Sequence, residues 1–260
     1  MPQVDRWEQG SFCWAELSTS DAEGAKAFYT GLFGWEVDAR EIPGGVYNLF
    51  RANGKGVGAC FEPPEGAPSG PPNWNQYIAV DDVDAKTKAA EEAGSTIMMA
   101  PFDVMEYGRM SFLTDPTGAA LGLWQFGQER SGWELYGEVN APSWNELMVP
   151  DTSKAQAFYE QVFGWTGDTQ DWGPGPYTTF KVGEKQVAGL FATPPDAAGT
   201  PPMWTQYFSV ADAKATVEKA KELGGQTILT RTLEKVGTFA GFTDPQGAMF
   251  SIIEPEPPAS

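Results

Sequence analysis

The sequence predicts an α+β protein in which one fold unit occurs twice. The strongest observation is an internal repeat, because FYTGLFGW at 28–35 returns as FYEQVFGW at 158–165. Short runs that alternate apolar and polar residues are interspersed with amphipathic helical segments in both halves. A DP-x-G turn precedes the last apolar run of each half, at 115–118 and 244–247. Self-similarity at a fixed spacing marks a duplicated structural unit, so the same elements are expected twice.

Each half begins with an alternating run, at 12–18 and 142–149, which predicts a strand. Asp21 and Asp151 follow these runs and are predicted to cap amphipathic helices through their side-chain oxygens. Gly34, like its counterpart in the second half, ends the helix because glycine readily adopts the left-handed conformation found there. A strand followed by a capped helix therefore opens both halves.

The remaining pattern gives further strands and a second helix in each half. Strand-like runs occur at 46–52, 56–61, 177–182 and 186–192, and proline-rich connectors follow at 62–73 and 192–203. The same pattern of apolar residues then begins again in each half. In the first half it predicts strands at 75–80, 95–100, 109–114 and 119–126 and a helix at 82–93. In the second half the counterparts are strands at 205–210, 226–231, 238–243 and 248–254 and a helix at 212–223. We interpret this as four modules of one strand, one helix and three strands, with domains at 1–127 and 142–260 and a linker at 128–141.

Composition narrows the range of functions. The formal net charge is −18, from 17 basic and 35 acidic side chains, so a nucleic-acid partner is not expected. Cys13 and Cys60 both lie in the first half, which favours two ordinary buried thiols over a disulfide framework. The N-terminus has no secretory signal pattern and no apolar run is long enough to span a membrane. We expect a cytoplasmic protein, a monomer or homodimer, with a small-molecule metabolite or drug as its partner.

The repeated signatures, FY-x-x-x-(L/F)-G after an aspartate cap and DP-x-G before the last strand, resemble those of the vicinal oxygen chelate superfamily. That family includes glyoxalase I, extradiol dioxygenases and bleomycin-binding proteins. The paired arrangement looks like that of actinobacterial members with two consecutive glyoxalase-like domains. The resemblance covers nearly the whole chain and implies that two modules pair into each domain, whose curved mixed sheet forms a cup.

Members of this family typically hold a metal in the cup with His, Gln or Glu side chains. Aligning this sequence by its motifs places poor ligands at those positions, namely Trp14, Asn75 and Gly122 in the first half and Trp144, Thr205 and Ser251 in the second. Glu62 could supply a single carboxylate near the fourth position. The chain contains no histidine, the residue on which most zinc, iron, nickel and copper sites depend. The sequence therefore predicts no catalytic metal and no cofactor.

Strand alternation predicts what faces the cups instead. If Trp14 points into the first cup, Glu16 does too, while Ala15 and Leu17 point toward the helices. The second half repeats this arrangement with Trp144 and Glu146. The same reasoning adds further cup-facing residues, namely Asn75, Tyr77 and Trp124 in the first half and Thr205, Tyr207 and Ser251 in the second. Tyr107 and Arg109 are predicted near the rim, where they would recognise a carboxylate or phenolate, although ordinary surface charge is the alternative.

A Trp- and Tyr-lined cup with one carboxylate suits a hydrophobic, aromatic or carbonyl-rich metabolite. Glu16 and Glu146 are predicted to act as general acids or bases with Tyr77 and Tyr207, for cyclisation, dehydration, ketal formation or isomerisation in metabolite biosynthesis. A structural role, with each carboxylate paired across the sheet, is the alternative for these two residues. The alternative function is non-catalytic sequestration of an antibiotic or metabolite. A metal-dependent glyoxalase or dioxygenase is disfavoured by the ligand positions.

Overall fold

The computed structural model describes residues 7–64, 66, 70–128, 132–171 and 175–256. The strands of the first half are β1 Phe12–Ser18, β2 Glu36–Ile42, β3 Gly45–Ala52, β4 Lys55–Phe61, β5 Asn73–Ala79, β6 Thr96–Val104, β7 Gly108–Thr114 and β8 Ala120–Phe126, with helices α1 Ala22–Phe33 and α2 Val83–Glu92. Those of the second are β9 Pro142–Val149, β10 Thr166–Asp171, β11 Pro176–Val182, β12 Lys185–Ala192, β13 Met203–Ser209, β14 Gln226–Leu233, β15 Gly237–Thr243 and β16 Met249–Pro255, with helices α3 Thr152–Phe163 and α4 Ala213–Glu222. The chain is therefore four βαβββ modules, as predicted.

The two halves form two open, eight-stranded mixed sheets of identical topology. The first has the order β2-β3-β4-β1-β5-β8-β7-β6, and the second β10-β11-β12-β9-β13-β16-β15-β14. The first strands of paired modules, β1 and β5, meet antiparallel at the centre, whereas each is parallel to the last strand of its own module. Each sheet comes entirely from one half, which confirms the predicted α+β class and the pairing of modules within a domain.

The helix boundaries follow the predicted capping residues. The Asp21 side chain accepts a hydrogen bond of 2.9 Å from the backbone N–H of Gly24, and Asp151 caps α3 in the same way. Gly34 and Gly164 end the helices in the left-handed region, both with φ of +70°. An aspartate satisfies otherwise unpaired N–H groups at the start, and glycine adopts this positive φ without a clash of a β-carbon.

The strands β2 and β10 are the elements that sequence reasoning did not locate. Their residues are almost all exposed or half-buried, because each strand lies at the edge of its sheet. Neither strand has the run of large apolar side chains that made the opposite edge strands, β6 and β14, predictable. The periodicity of apolar residues therefore does not predict these two strands.

The halves pack through the faces of the sheets that carry the helices. Helix α1 packs against α4, and α2 against α3. Aromatic rings fill the space between, including Phe33 and Phe208 with centroids 5.2 Å apart and Phe12 and Trp204 at 4.8 Å. This shared core covers one side of each sheet, and the opposite side of each sheet carries no helix among the described residues.

Both cysteines are buried and unpaired, as predicted. Burial raises the pKa of both thiols, that of Cys60 to about 12, so neither behaves as a reactive thiolate near neutral pH. Within the described ranges, no helix is both long and apolar enough to cross a bilayer.

Candidate functional site

The first cup is defined here as the face of the first sheet opposite α1 and α2, and the second cup as the equivalent face of the second sheet. Glu16 lies in the middle of β1 and is half-buried on the first cup, whereas Ala15 and Leu17 are fully buried on the helix side. The predicted alternation along β1 is therefore observed. It places a carboxylate at the centre of the sheet.

Two tyrosines hold the Glu16 carboxylate in the first cup. Tyr47 donates to Oε2 and Tyr77 donates to Oε1, each at 2.6 Å. The indole Nε1 of Trp14 donates to the Tyr47 oxygen at 2.9 Å. An indole nitrogen only donates, so the Tyr47 oxygen must accept from Trp14 and pass its own proton toward Glu16. In the ionised state the Glu16 carboxylate is thus the acceptor at the end of these hydrogen bonds.

The second cup repeats this network with equivalent residues. Tyr177 donates to Glu146 Oε1 at 2.8 Å, and Tyr207 donates to Oε2 at 2.5 Å. Trp144 Nε1 donates to the Tyr177 oxygen at 3.0 Å. We call this Trp–Tyr–Glu–Tyr group the floor network of each cup. Its occurrence in both halves shows that one arrangement of side chains has been kept through the duplication.

Each carboxyl group holds its proton more strongly than a free glutamate does. Burial raises the pKa of Glu16 and Glu146 above the ordinary value, although hydrogen bonds from the two tyrosines partly oppose this rise. Burial and the neighbouring glutamate also raise the pKa of Tyr77 and Tyr207 well above that of free tyrosine. The tyrosines therefore act as neutral hydrogen-bond donors, and the glutamates are the groups whose charge changes most readily.

Sequence reasoning did not identify Tyr47 and Tyr177, although they make half of the hydrogen bonds to the carboxylates. A signal was present, because both occupy the same position in β3 and β11 and share a face with cup residues. Comparing every tyrosine between the two repeats would have found them. Their distance along the chain from Glu16 and Glu146, 31 residues in both halves, hides the contact from any local pattern.

Asn75 and Thr205 lie beside the carboxylates. The strand register places Asn75 directly opposite Glu16 and Thr205 directly opposite Glu146. Asn75 Oδ1 accepts a hydrogen bond of 3.2 Å from the Asn73 side chain. Both residues therefore contribute polar groups next to the floor networks.

Trp124 and Ser251 also lie on the cup faces. The Trp124 ring is 6.4 Å from that of Tyr77, nearly perpendicular to it. Ser251 pairs with Tyr207 across β13 and β16, at the position that Gly122 occupies next to Tyr77 in the first half. The predicted cup-facing residues of the last strands are thus close to the floor networks.

Arg109 does not lie on the cup, which corrects the sequence-based prediction. Its guanidinium binds Asp84 of α2 at 2.7 Å and Asp103 of β6 at 2.9 Å, on the helix side of the sheet. Alternation along β7 accounts for this, because Met110 and Phe112 take the cup face. Tyr107 lies in the turn between β6 and β7, and its backbone carbonyl accepts a hydrogen bond from the Gly127 N–H.

The donor set does not fit the metal site that relatives of this fold carry. In the part of the chain that the structure describes, no three Cys, Asp or Glu side chains come together in a cluster able to hold an ion. Glu62 is directed elsewhere, since its carboxylate accepts from the Ala22 backbone N–H at the start of α1. The indoles, the single amide of Asn75, the glycine and the hydroxyls at the ligand positions supply too few metal-binding atoms for a divalent ion.

Comparisons with known proteins agree with this fold. The family model described as "Glyoxalase/Bleomycin resistance protein/Dioxygenase superfamily" matches residues 11–123 and 142–252. CFP32 of Mycobacterium tuberculosis, a protein provisionally named a glyoxylase, is 45% identical over 99% of both chains. The anthracycline biosynthesis protein DnrV of Streptomyces peucetius is 35% identical over 96% of this chain and 95% of its own. A Mn(II)-bound glyoxalase from Novosphingobium aromaticivorans superposes with a TM-score of 0.64 at 16% identity, over 95% of this chain and 82% of its own, a likeness of fold.

Proposed function

This chain belongs to the Glyoxalase/Bleomycin resistance protein/Dioxygenase superfamily, and on that premise we propose that its cups bind planar, carbonyl-bearing aromatic metabolites. The proposed chemistry is proton transfer by Glu16 and Glu146, without a metal, in the tailoring of such a metabolite. Isomerisation, cyclisation, dehydration and ketal formation all belong to this class.

The observation that carries the proposal is the floor network. Each cup places one half-buried glutamate among aromatic rings, at the centre of the sheet. Burial raises the pKa of the carboxylate, and a carboxylate with a raised pKa is a stronger general base. An aromatic wall with few polar groups is a common lining for small-molecule sites.

The relatives support the class of ligand. DnrV is named for anthracycline biosynthesis, and anthracyclines are planar polycyclic aromatic compounds with quinone carbonyls. Such a ligand matches flat indole and phenol faces, with its oxygens near the few polar groups.

The proposed step begins with the ionised glutamate. Glu16 removes a proton from a carbon that is adjacent to a carbonyl of the ligand or conjugated with it through an aromatic ring, and the C–H electron pair moves onto the carbonyl oxygen to give an enolate. Once Glu16 is protonated, its carboxyl group is neutral and no longer requires hydrogen bonds from both tyrosines. One phenol O–H is then free to donate to the enolate oxygen. Return of the proton from Glu16 to a different atom gives the isomer and regenerates the carboxylate.

Sequestration without turnover is a second candidate, and one observation favours it. Both oxygens of each carboxylate already accept a hydrogen bond from tyrosine, which is also what a purely structural carboxylate would do. The net charge of −18 would then help to attract a cationic ligand.

Anthrone distinguishes the two functions, because it is a planar tricyclic ketone with an exchangeable methylene. Binding is measured by quenching of tryptophan fluorescence, and deuterium exchange at the methylene by anaerobic NMR in D₂O. We expect the protein to bind anthrone and accelerate exchange, and the double variant Glu16→Gln, Glu146→Gln to lose about 100-fold of this acceleration while binding is kept. Single variants assign the activity to one cup or to both.

Unchanged exchange in the double variant would exclude the acid–base role. Binding without any acceleration by the unaltered protein would favour sequestration.

A further inference from the structure

The two cups share a floor but differ along one wall. This wall is formed by β6, β7 and β8 in the first cup and by β14, β15 and β16 in the second. Register pairs identify equivalent positions, because Phe102 pairs with Met110 as Arg231 pairs with Phe239. The carboxylate site is therefore the same in both halves, whereas the wall beside it differs.

The wall of the first cup is apolar. Met99 pairs with Phe112, and the Phe112 ring is 6.1 Å from that of Tyr77. Phe102 adds a ring that is 42% exposed, and Met110 pairs with Trp124. This wall offers sulfur and aromatic contacts but no charge.

The wall of the second cup has smaller side chains at two positions and carries a cation. Gly241 replaces Phe112, and Ile253 replaces Trp124, so less of the space beside Tyr207 is filled. A β-carbon built at Gly241 would be 3.7 Å from Ser251 Oγ, which confirms that this position faces the cup. Arg231 is exposed on the same face, two residues along β14 from Leu229.

Arg231 differs in its ion pairing from the other arginines in the described ranges. Arg40 and Arg51 pair with Asp38, and Arg109 pairs with Asp84 and Asp103. Arg231 has no ion pair with any residue that the structure describes. In a chain with 35 acidic side chains, an arginine left without a carboxylate partner on a ligand-facing wall is suited to an anion from outside.

We propose that the second cup binds an aromatic ligand that carries a carboxylate, with Arg231 as the residue that selects the charged group. This inference rests on the proposed function, in which the cups take planar aromatic compounds. β14 lies four strands from β9 in the sheet, roughly 19 Å along its surface, so a carboxylate at Arg231 is separated from Glu146. The first cup, with Phe102 at the equivalent position, takes the uncharged ligand.

The test compares two probes of equal shape, anthraquinone-2-carboxylate and anthraquinone-2-carboxamide. Their affinities for the full chain are measured by fluorescence quenching at low ionic strength. We expect the tightest site to prefer the carboxylate by about fivefold, and this preference to shrink as salt screens the charge. Arg231→Met should remove the preference. Phe102→Met is the matched control and should leave it unchanged, whereas Phe102→Arg should create a second site that prefers the carboxylate.

Equal affinity of the unaltered protein for the two probes, or a preference that survives Arg231→Met, would overturn this inference and leave the proposed function standing. Failure of both probes to bind would count against both proposals.

Discussion

The hydroxyl of Tyr29 in the first half donates a hydrogen bond of 3.0 Å to Asp244 Oδ2 in the second half, 215 residues away. Tyr159 makes the reciprocal bond to Asp115 Oδ2 at 2.9 Å. Each bond joins the tyrosine of a repeated FY motif to the aspartate of the DP-x-G turn in the other half. The two repeat signatures therefore act together as two equivalent links between domains.

An indole completes each link. Trp74 Nε1 donates to the Tyr29 oxygen, and Trp204 Nε1 to the Tyr159 oxygen, both at 2.9 Å. The indole again fixes the direction of the hydrogen bonds, so the phenol proton must go to the aspartate of the opposite domain. Because Tyr29 and Tyr159 are fully buried, no water replaces a lost partner easily.

Tyr29→Phe should lower the free energy of unfolding by about 1–3 kcal/mol, since it leaves the Trp74 indole and the Asp244 carboxylate without this buried partner. Urea denaturation followed by circular dichroism measures the change. Tyr136→Phe is the matched control, because its hydroxyl makes no hydrogen bond within the described ranges and the ring contacts remain. Equal stability of the two variants would contradict the proposed importance of the link.

The stability of the protein should rise as the pH falls from 7 toward about 5. Burial raises the folded-state pKa of Glu16 and Glu146, so the folded chain binds protons at a higher pH than the unfolded chain. The contribution of these groups is full below the unfolded pKa and is lost as the pH rises through the folded pKa. Reduced charge repulsion acts in the same direction, so the double variant Glu16→Gln, Glu146→Gln is the comparison. Thermal unfolding should show a smaller pH dependence for it, and an identical dependence would count against the raised pKa.

Tyr47→Phe should raise the pKa of Glu16 further. The substitution removes one of the two hydrogen bonds that favour the ionised carboxylate, while burial continues to oppose ionisation. NMR titration of carboxyl-labelled glutamate measures the shift. Glu146 serves as an internal control because its own donors are unchanged, and a downward shift at Glu16 would refute the assignment.

Gly122→Ala should lower stability and probe binding at the first cup more than Ser251→Ala lowers them at the second, where only a hydrogen bond to Tyr207 is lost. A β-carbon at Gly122 would overlap the Tyr77 ring, so Tyr77 must move away from Glu16. Overpacking of this kind costs about 1–3 kcal/mol. Thermal unfolding and probe binding measure the two effects. Equal behaviour of both variants would show that Tyr77 adapts without cost.

Metal removal should leave binding and exchange of anthrone unchanged. The ligand positions of the fold hold Trp14, Asn75 and Gly122 in the first cup, which do not form a site for a divalent ion. Elemental analysis before and after dialysis against EDTA provides the measurement. Stoichiometric zinc, iron or nickel whose removal abolishes activity would contradict the metal-free proposal.

Much of the fold and the centre of the site could be predicted from the sequence, because both depend on short-range periodicity. The repeat gave four modules, the caps Asp21 and Asp151 gave the helix starts, and alternation along β1 placed Glu16 on the cup. The edge strand β2 could not be located by these means, because little of it is buried.

The sequence by itself determined that this chain is a duplicated βαβββ protein with a glutamate two residues after a tryptophan on each central strand. Only the tertiary structure decided which groups those glutamates meet, since Tyr47 reaches Glu16 through the register of strands that are distant in sequence. The tertiary structure also places Arg109 on the helix side of the first sheet and Arg231 on the cup side of the second sheet. The physical reason is that periodicity fixes the face of a residue within one strand, whereas its partners depend on how strands, bulges and domains come together in space.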